Sequence, residues 1–345
     1  MKARPKVSIR ALRVSEALSR PTVLEICAGG GGQALGLESA GFDHLAAVEI
    51  EPAACATLQR NRPRWKVIQG DVRTLNGHAY TGAVDLLAGG VPCPPFSVAG
   101  KQLGADDERD LFPEALRLAK EIGPKAILLE NVQGFSSSRF EGYRRSLFKR
   151  LNNLGYEVQW RILNACDFGV PQLRPRFVLV ALKSKYAPFF AWPNPDANRV
   201  FVGHALLDLM ASRGWSGARA WARRANDVAP TLVGGSKKHG GPDLGPTRAR
   251  AQWLELGVDG LGVANEAPGA DHPTGKPPRL TIAMVSRIQG FPDSWRFEGG
   301  KTAAYRQVGN AFPPPVAKAV GKRIYAALEC RAEAPSDDVQ MRLTV

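Results

Sequence analysis

Short apolar runs alternate with longer, periodically apolar stretches through the first half of the chain. Thr22-Val23-Leu24-Glu25-Ile26-Cys27 reads as a buried strand, Ala28 to Gly32 as a glycine-rich turn, and Gln33 to Ala40 as a helix ending at Gly41. Further strands are predicted at Leu45 to Ile50, Val67-Ile68, Val84 to Ala88, Ala126 to Leu129 and Phe177 to Leu182. Helices are predicted between them at Pro52 to Arg60, with proline in the first turn, and at Leu111 to Ile122. Strand alternating with helix predicts an α/β fold built on a doubly wound, mostly parallel sheet.

The periodicity weakens after about Lys185. From there to Pro278 the chain is rich in Gly, Pro, Arg and Trp, which predicts a smaller, loop-rich module. Regular structure resumes near Leu280, and Pro315 to Leu328 reads as a terminal helix. The expected organisation is a main domain over 20–184 completed by 304–330, a second domain over 185–303, and tails at 1–19 and 331–345.

A net charge of +14 adds an expected polyanionic partner, most often nucleic acid, although basic solubility alone accounts for such a balance in many proteins. The five cysteines (Cys27, Cys55, Cys93, Cys166 and Cys330) are odd in number and lack paired spacing. That points to a reducing cytosol and away from a disulfide framework or a zinc site, so no metal is expected. The sequence holds no apolar run of membrane-spanning length and no secretory signal, so a cytoplasmic protein is expected.

Four pieces carry chemistry. Cys93 lies in Val91-Pro92-Cys93-Pro94-Pro95-Phe96-Ser97, after a predicted strand and Gly89-Gly90. Prolines on both sides restrict its backbone at the strand's carboxyl end, where ligands bind in open α/β sheets. A thiol there is a candidate nucleophile. Gly29, Gly31 and Ala34 satisfy a G-x-G-x-x-G/A spacing between strand and helix, and Glu49 ends the next strand. That pattern suits a nucleotide moiety, and it fits a dinucleotide-dependent dehydrogenase as well as a methyltransferase. Asp71 closes a third strand and offers an acceptor to an adenine amino group. Glu130 ends the run Ile127-Leu128-Leu129, beside apolar walls that raise a carboxyl pKa and favour a proton-donating form. Gln172, Arg174 and Arg176 alternate before a strand, so they are expected to point together at a phosphate or a carbonyl oxygen; a solvated basic edge is the alternative.

Taken in order, these pieces resemble the DNA (cytosine-5)-methyltransferase family of bacterial restriction-modification systems. Leu24 to Phe42 is similar to its first cofactor motif, Glu49 and Asp71 to the next two, and Pro92-Cys93 to the nucleophile motif. Glu130-Asn131-Val132 and Gln172-x-Arg174-x-Arg176 match the following motifs. Arg287-Ile288-Gln289-Gly290-Phe291-Pro292-Asp293 and Tyr305-Arg306-Gln307-Val308-Gly309-Asn310-Ala311 match the last two. Single motifs of this set are weak, but their ordered co-occurrence is very specific.

The resemblance implies a Rossmann-like methyltransferase fold with a target-recognition domain over 185–303. It also implies S-adenosylmethionine as cofactor, double-stranded DNA as partner, a monomer, and a cognate restriction endonuclease acting separately. Cys93 is then the nucleophile toward cytosine C6, Glu130 the group on N3 and the exocyclic amine, Arg174 the contact to O2, and Arg176 a support. Ile26, Ala28, Gly29, Gly31, Gly32, Glu49, Ile50, Asp71, Val72, Pro92, Asn310 and Ala311 become cofactor candidates. Ser97, Lys101, Gln102, Arg109, Gln172, Thr231, Leu232, Lys237, Lys238, Arg248 and Arg250 become DNA candidates, with Ser97 to Arg109 a loop that closes over a flipped base.

The sequence departs from the family at Cys27, where a phenylalanine usually packs on the adenine, which leaves Ile50 or Ile26 to do so. It also departs at Glu25, more often aspartate, and at Pro94, often glutamine. An RNA cytosine-5 methyltransferase and a nonenzymatic DNA-binding relative are the alternatives. A dehydrogenase accounts for the first fifty or so residues and nothing afterwards.

Overall fold

A computed structural model of the chain describes residues 20–92, 110–196, 198–235 and 241–331. Seven strands form one sheet: β1 (Thr22–Ile26), β2 (Asp43–Glu49), β3 (Val67–Gln69), β4 (Leu86–Gly90), β5 (Ala126–Val132), β6 (Tyr156–Asn164) and β7 (Pro175–Lys183). Their spatial order is β3-β2-β1-β4-β5-β7-β6. The first five strands run parallel, and β7 pairs antiparallel with both β5 and β6.

Alternation along the central strands divides the core into two layers. Leu87, Ile127, Leu129 and Leu179 face α3 (Phe112–Ile122) and α4 (Glu141–Asn153). Leu86, Ala88, Leu128, Val178 and Val180 face α1 (Gly32–Ala40) and α10 (Pro314–Leu328). Helix α2 (Pro52–Asn61) follows β2 with Pro52 at its start, as expected. The doubly wound, mostly parallel sheet is therefore present, with helices on both faces. Strand β6 and helix α4 were not among the predicted elements.

A separate apolar cluster joins α5 (Val202–Ala211), α6 (Ala218–Arg224), α7 (Thr247–Glu255) and α8 (Ile282–Ile288) to Tyr305 and Val308 of α9 (Lys301–Asn310). Two glycines bring this region against the main body. A Cβ on Gly234 meets Asn310 Oδ1 at 2.5 Å, and one on Gly309 meets the Gly234 nitrogen at 2.5 Å, so segment 229–235 and α9 touch backbone to backbone.

Candidate active site

The carboxyl ends of β1, β2, β4 and β5 open into a cavity of about 610 Å³. One wall is the turn from β1 to α1. Cys27 takes φ 52°, unusual for a residue with a side chain, and Gly29 takes φ 54°. The turn carries the Gly29 N–H to Glu49 Oε2 at 2.7 Å, while the Glu51 N–H donates to Glu49 Oε1 at 2.8 Å. The Glu49 carboxylate is thus fixed at the cavity edge with lone pairs left over. A Cβ on Gly29 would meet no atom within 4 Å, so this backbone is open to close approach.

Ala28, Gly29, Gly32, Glu49, Ile50, Asp71, Val72, Pro92, Asn310 and Ala311 line the cavity, as the sequence led us to expect of cofactor residues. Ile50 is 57% exposed among the described residues, an apolar side chain at the lip of the cavity. Asp71 accepts from the Arg73 backbone N–H and from its guanidinium, which together hold its carboxyl below the usual range. Burial pushes the Cys27 thiol up to about 12, so it stays protonated and neutral.

Two expected cofactor residues lie elsewhere. Ile26 is fully buried in the sheet core, packed against the bare Cα of Gly89, and is not in the cavity wall. Gly31 faces α2 and Trp295: a Cβ there would come within 2.7 Å of Leu58 and of the Trp295 ring. Its left-handed φ of 85° and this tight contact require glycine for packing. Trp295 Nε1 completes the contact by donating to the Gly30 carbonyl at 3.1 Å. No local sequence signal points to that partner, since the two segments are far apart in the chain.

Glu130, at the end of β5, sits opposite Gly90 of β4, and a Cβ on Gly90 would lie 3.4 Å from Glu130 Oε2. The Glu130 side chain is 9% exposed, and Arg176 Nε approaches its Oε1 at 2.8 Å. Burial raises the Glu130 pKa, and the charges of Arg176 and Arg174 oppose that rise. The next residue, Asn131, was quoted in a motif but given no task by sequence reasoning. Its Nδ2 donates to the Val91 carbonyl at 2.9 Å and so fixes the chain leading into Pro92. Cys93 itself lies outside the described residues, as do Ser97, Lys101, Gln102, Arg109, Lys237 and Lys238.

The expectation that Gln172, Arg174 and Arg176 converge on one spot is corrected. Arg176 alone of the three lines the cavity. Arg174 is fully buried behind it and donates to the carbonyls of Leu232 at 2.6 Å, Gly309 at 2.7 Å and Ala311 at 3.1 Å. Gln172 is also fully buried: its Nε2 donates to Gln289 Oε1 at 2.8 Å, and its Oε1 accepts from the Leu232 N–H at 2.8 Å. Alternation put the three on one side of the chain, but it carries no information on depth. Arg174 and Gln172 join β7 to segment 229–235 and α9, so neither is placed to touch a base.

Leu232, an expected DNA contact, is likewise buried at this junction. Its neighbour Thr231 is at the surface and donates to the Leu173 carbonyl at 2.7 Å. Arg248 is exposed on α7; Arg250 packs over Gly260 and donates to Thr247 Oγ1 at 3.2 Å. Sequence reasoning missed Arg306, Gln307 and Gly235, which close the cavity from the side of α9 and segment 229–235. Among the described residues there is no group of side chains that would hold a metal ion, and no helix long and apolar enough to cross a membrane.

The open, doubly wound sheet with a nucleotide-sized cavity at its carboxyl rim has the Rossmann-like methyltransferase fold. The family model for C-5 cytosine-specific DNA methylases matches residues 22–326. The chain belongs to that family and is a DNA cytosine-5 methyltransferase. It is 60% identical over 315 residues to the type II methyltransferase M.NaeI of Lentzea aerocolonigenes, spanning 90% of this chain and 76% of that protein. It is 55% identical over 312 residues to M.NgoMIV of Neisseria gonorrhoeae, spanning 89% and 98%. Among solved structures, a prophage-encoded E. coli protein described as a DNA modification methyltransferase superposes with a TM-score of 0.64 at 26% identity, covering 90% of this chain and 99% of that one. The S. pombe Dnmt2 methyltransferase shares the fold, with a TM-score of 0.60 at 21% identity over 90% and 99%.

Proposed function

We propose that the chain methylates C5 of a flipped-out cytosine within a short duplex sequence, with S-adenosylmethionine as donor and Cys93 as nucleophile. The observation that carries this reading is the juxtaposition, in one cavity, of the Glu49–Gly29 cradle, the buried Glu130–Arg176 pair and Pro92, the residue before Cys93.

The cavity residues fit the donor. Glu49 has acceptor capacity for ribose hydroxyls, and the exposed Ile50 offers an apolar face to a purine in place of the usual aromatic ring. Asn310 and Ala311 close the far side. When bound, S-adenosylmethionine supplies an electrophilic methyl group for an activated C5.

The chain's own groups provide the activation. The Cys93 sulfur adds to C6, which moves an electron pair toward N3 and O2 and leaves C5 nucleophilic. Glu130, kept protonatable by burial, donates to N3 and accepts from the exocyclic amine as negative charge builds. Arg176 takes the O2 contact in place of Arg174 and holds Glu130 in position. After methyl transfer, loss of the C5 proton and of the Cys93 sulfur restores the ring. Removing the base from the stack costs roughly a few kcal/mol, offset by contacts in the cavity.

The naming of the relatives as type II methyltransferases supports a restriction-modification role with a separate cognate endonuclease. A monomer follows from the family resemblance, and a DNA substrate supports a cytoplasmic, nucleoid-associated protein. Transfer of tritiated methyl groups to duplex DNA and to tRNA, measured side by side, tests the substrate. Label in DNA alone is expected; label in tRNA alone would overturn the proposal.

A further inference from the structure

Three arginines line the cavity, and two of them are matched to carboxylates: Arg73 to Asp71 and Arg176 to Glu130. The third, Arg306, stands one turn before the end of α9 and lines the cavity together with Gly235, Gln307 and Asn310. It is partly buried, and its Nε is closed off from solvent without a hydrogen-bond partner. No carboxylate, carbonyl or ring among the described residues engages its guanidinium.

Nor is a carboxylate left free among the described residues of the cavity wall. Glu49 is held by the Gly29 and Glu51 N–H groups, Asp71 by Arg73 and Glu130 by Arg176, the Glu51 side chain is itself engaged, and Glu25 lies 3.4 Å from His44. Buried donors in folded proteins nearly always find an acceptor. The guanidinium fork matches the paired oxygens of a carboxylate or phosphate. A cation near a helix carboxyl terminus is favourable in itself. That effect accounts neither for the unmatched inner Nε nor for a position in the cavity wall.

We propose that Arg306 binds an oxyanion of the reactants when they occupy the cavity. Two groups have this chemistry: the amino-acid carboxylate of the methyl donor, and a phosphate beside the flipped nucleotide. The inference rests on the reading of the cavity as the methyl-transfer site.

The test uses the intact chain and its Arg306→Gln variant, with thermal melts to verify folding. Calorimetry with S-adenosylhomocysteine, which keeps the carboxylate, reads the first source. Anisotropy of a labelled duplex bearing the chain's own methylation sequence, over a range of salt, reads the second. For a carboxylate, affinity for S-adenosylhomocysteine falls about tenfold, as for a lost charge-assisted pair, and the salt dependence of DNA binding is unchanged. For a phosphate, DNA affinity falls and the slope of log K against log salt drops by about 1.

Unchanged affinity for both ligands with an unchanged slope overturns the inference and leaves the functional reading standing. Failure of the wild-type chain to bind either ligand overturns both. Should Arg306→Gln melt early, Arg306→Met keeps the aliphatic bulk and is read the same way.

Discussion

Replacing Arg174 with methionine separates an architectural arginine from a catalytic one. Arg174 donates to three main-chain carbonyls, at Leu232, Gly309 and Ala311. Methionine fills much of the volume but donates nothing. The Ala311 carbonyl keeps a second donor in Gln289 Nε2 at 2.5 Å, which leaves two buried carbonyls orphaned. Each costs about 1–3 kcal/mol, and relief from burying a guanidinium offsets part of that. A net loss of about 3 kcal/mol is expected, which at roughly 2 °C per kcal/mol for a chain of this size lowers Tm by about 6 °C. Arg176→Met makes the contrast. Its partner Glu130 has a pKa already raised by burial and answers the loss by taking up a proton, so the fold is little affected. Tm is expected to move by less than about 2 °C while methyl transfer falls about a hundredfold. Differential scanning fluorimetry and tritium transfer on both variants make the measurement. An Arg174→Met protein that melts with wild type but has lost turnover would refute the assignment and return Arg174 to the base.

Other consequences follow from the same geometry. Glu130→Gln is expected to lower turnover by about a hundredfold or more; a loss below about tenfold, little more than 1.4 kcal/mol of barrier, would count against its role. Asn131→Ala frees the Val91 carbonyl and is expected to slow adduct formation with a 5-fluorocytosine duplex while S-adenosylhomocysteine still binds normally; equal rates would contradict a role for its hold on Val91. Gly234→Ala forces a methyl group against Asn310 and the Arg306 carbonyl, so urea unfolding should shift by about 1–3 kcal/mol. Burial raises Glu25, beside His44, above its ordinary 4.5. The folded chain therefore keeps a proton that the unfolded chain releases, and this contribution is full below the unfolded pKa and lost as pH rises through the raised one. Unfolding midpoints should fall less from pH 5 to pH 8 in Glu25→Gln than in wild type, and parallel curves would contradict the shift.

The parts of the fold legible from sequence are those in which local and tertiary demands agree. Val23, Leu24 and Ile26 form a buried apolar strand by composition, and Gly41 stops α1 with a left-handed φ of 107°. Strand β6 escaped notice because it lies at the sheet edge, where Glu157, Gln159 and Arg161 alternate with Tyr156, Val158, Trp160 and Ile162 and leave no continuous apolar run. Helix α4 is mostly polar, with Leu147, Leu151 and Arg144 buried, and its stability comes from the sheet beneath it. At the site, residue type and order identified Glu49, Asp71 and Glu130. They did not separate Arg174 from Arg176, because depth depends on what packs behind β7. Nor did they reveal the task of Gly31, which is set by Trp295, or of Gln172, which is set by Leu232 and Gln289. Each of these residues answers to a partner far along the chain.

The most direct test is base-resolution bisulfite sequencing of DNA from a bacterial host without cytosine methylation, expressing either the wild-type chain or Cys93→Ser. Protected cytosines at one position of one recurring short sequence, present with wild type and absent with the variant, are expected. Equal protection in both would remove Cys93 from the mechanism, and no protection from soluble wild-type protein would contradict DNA cytosine methylation itself.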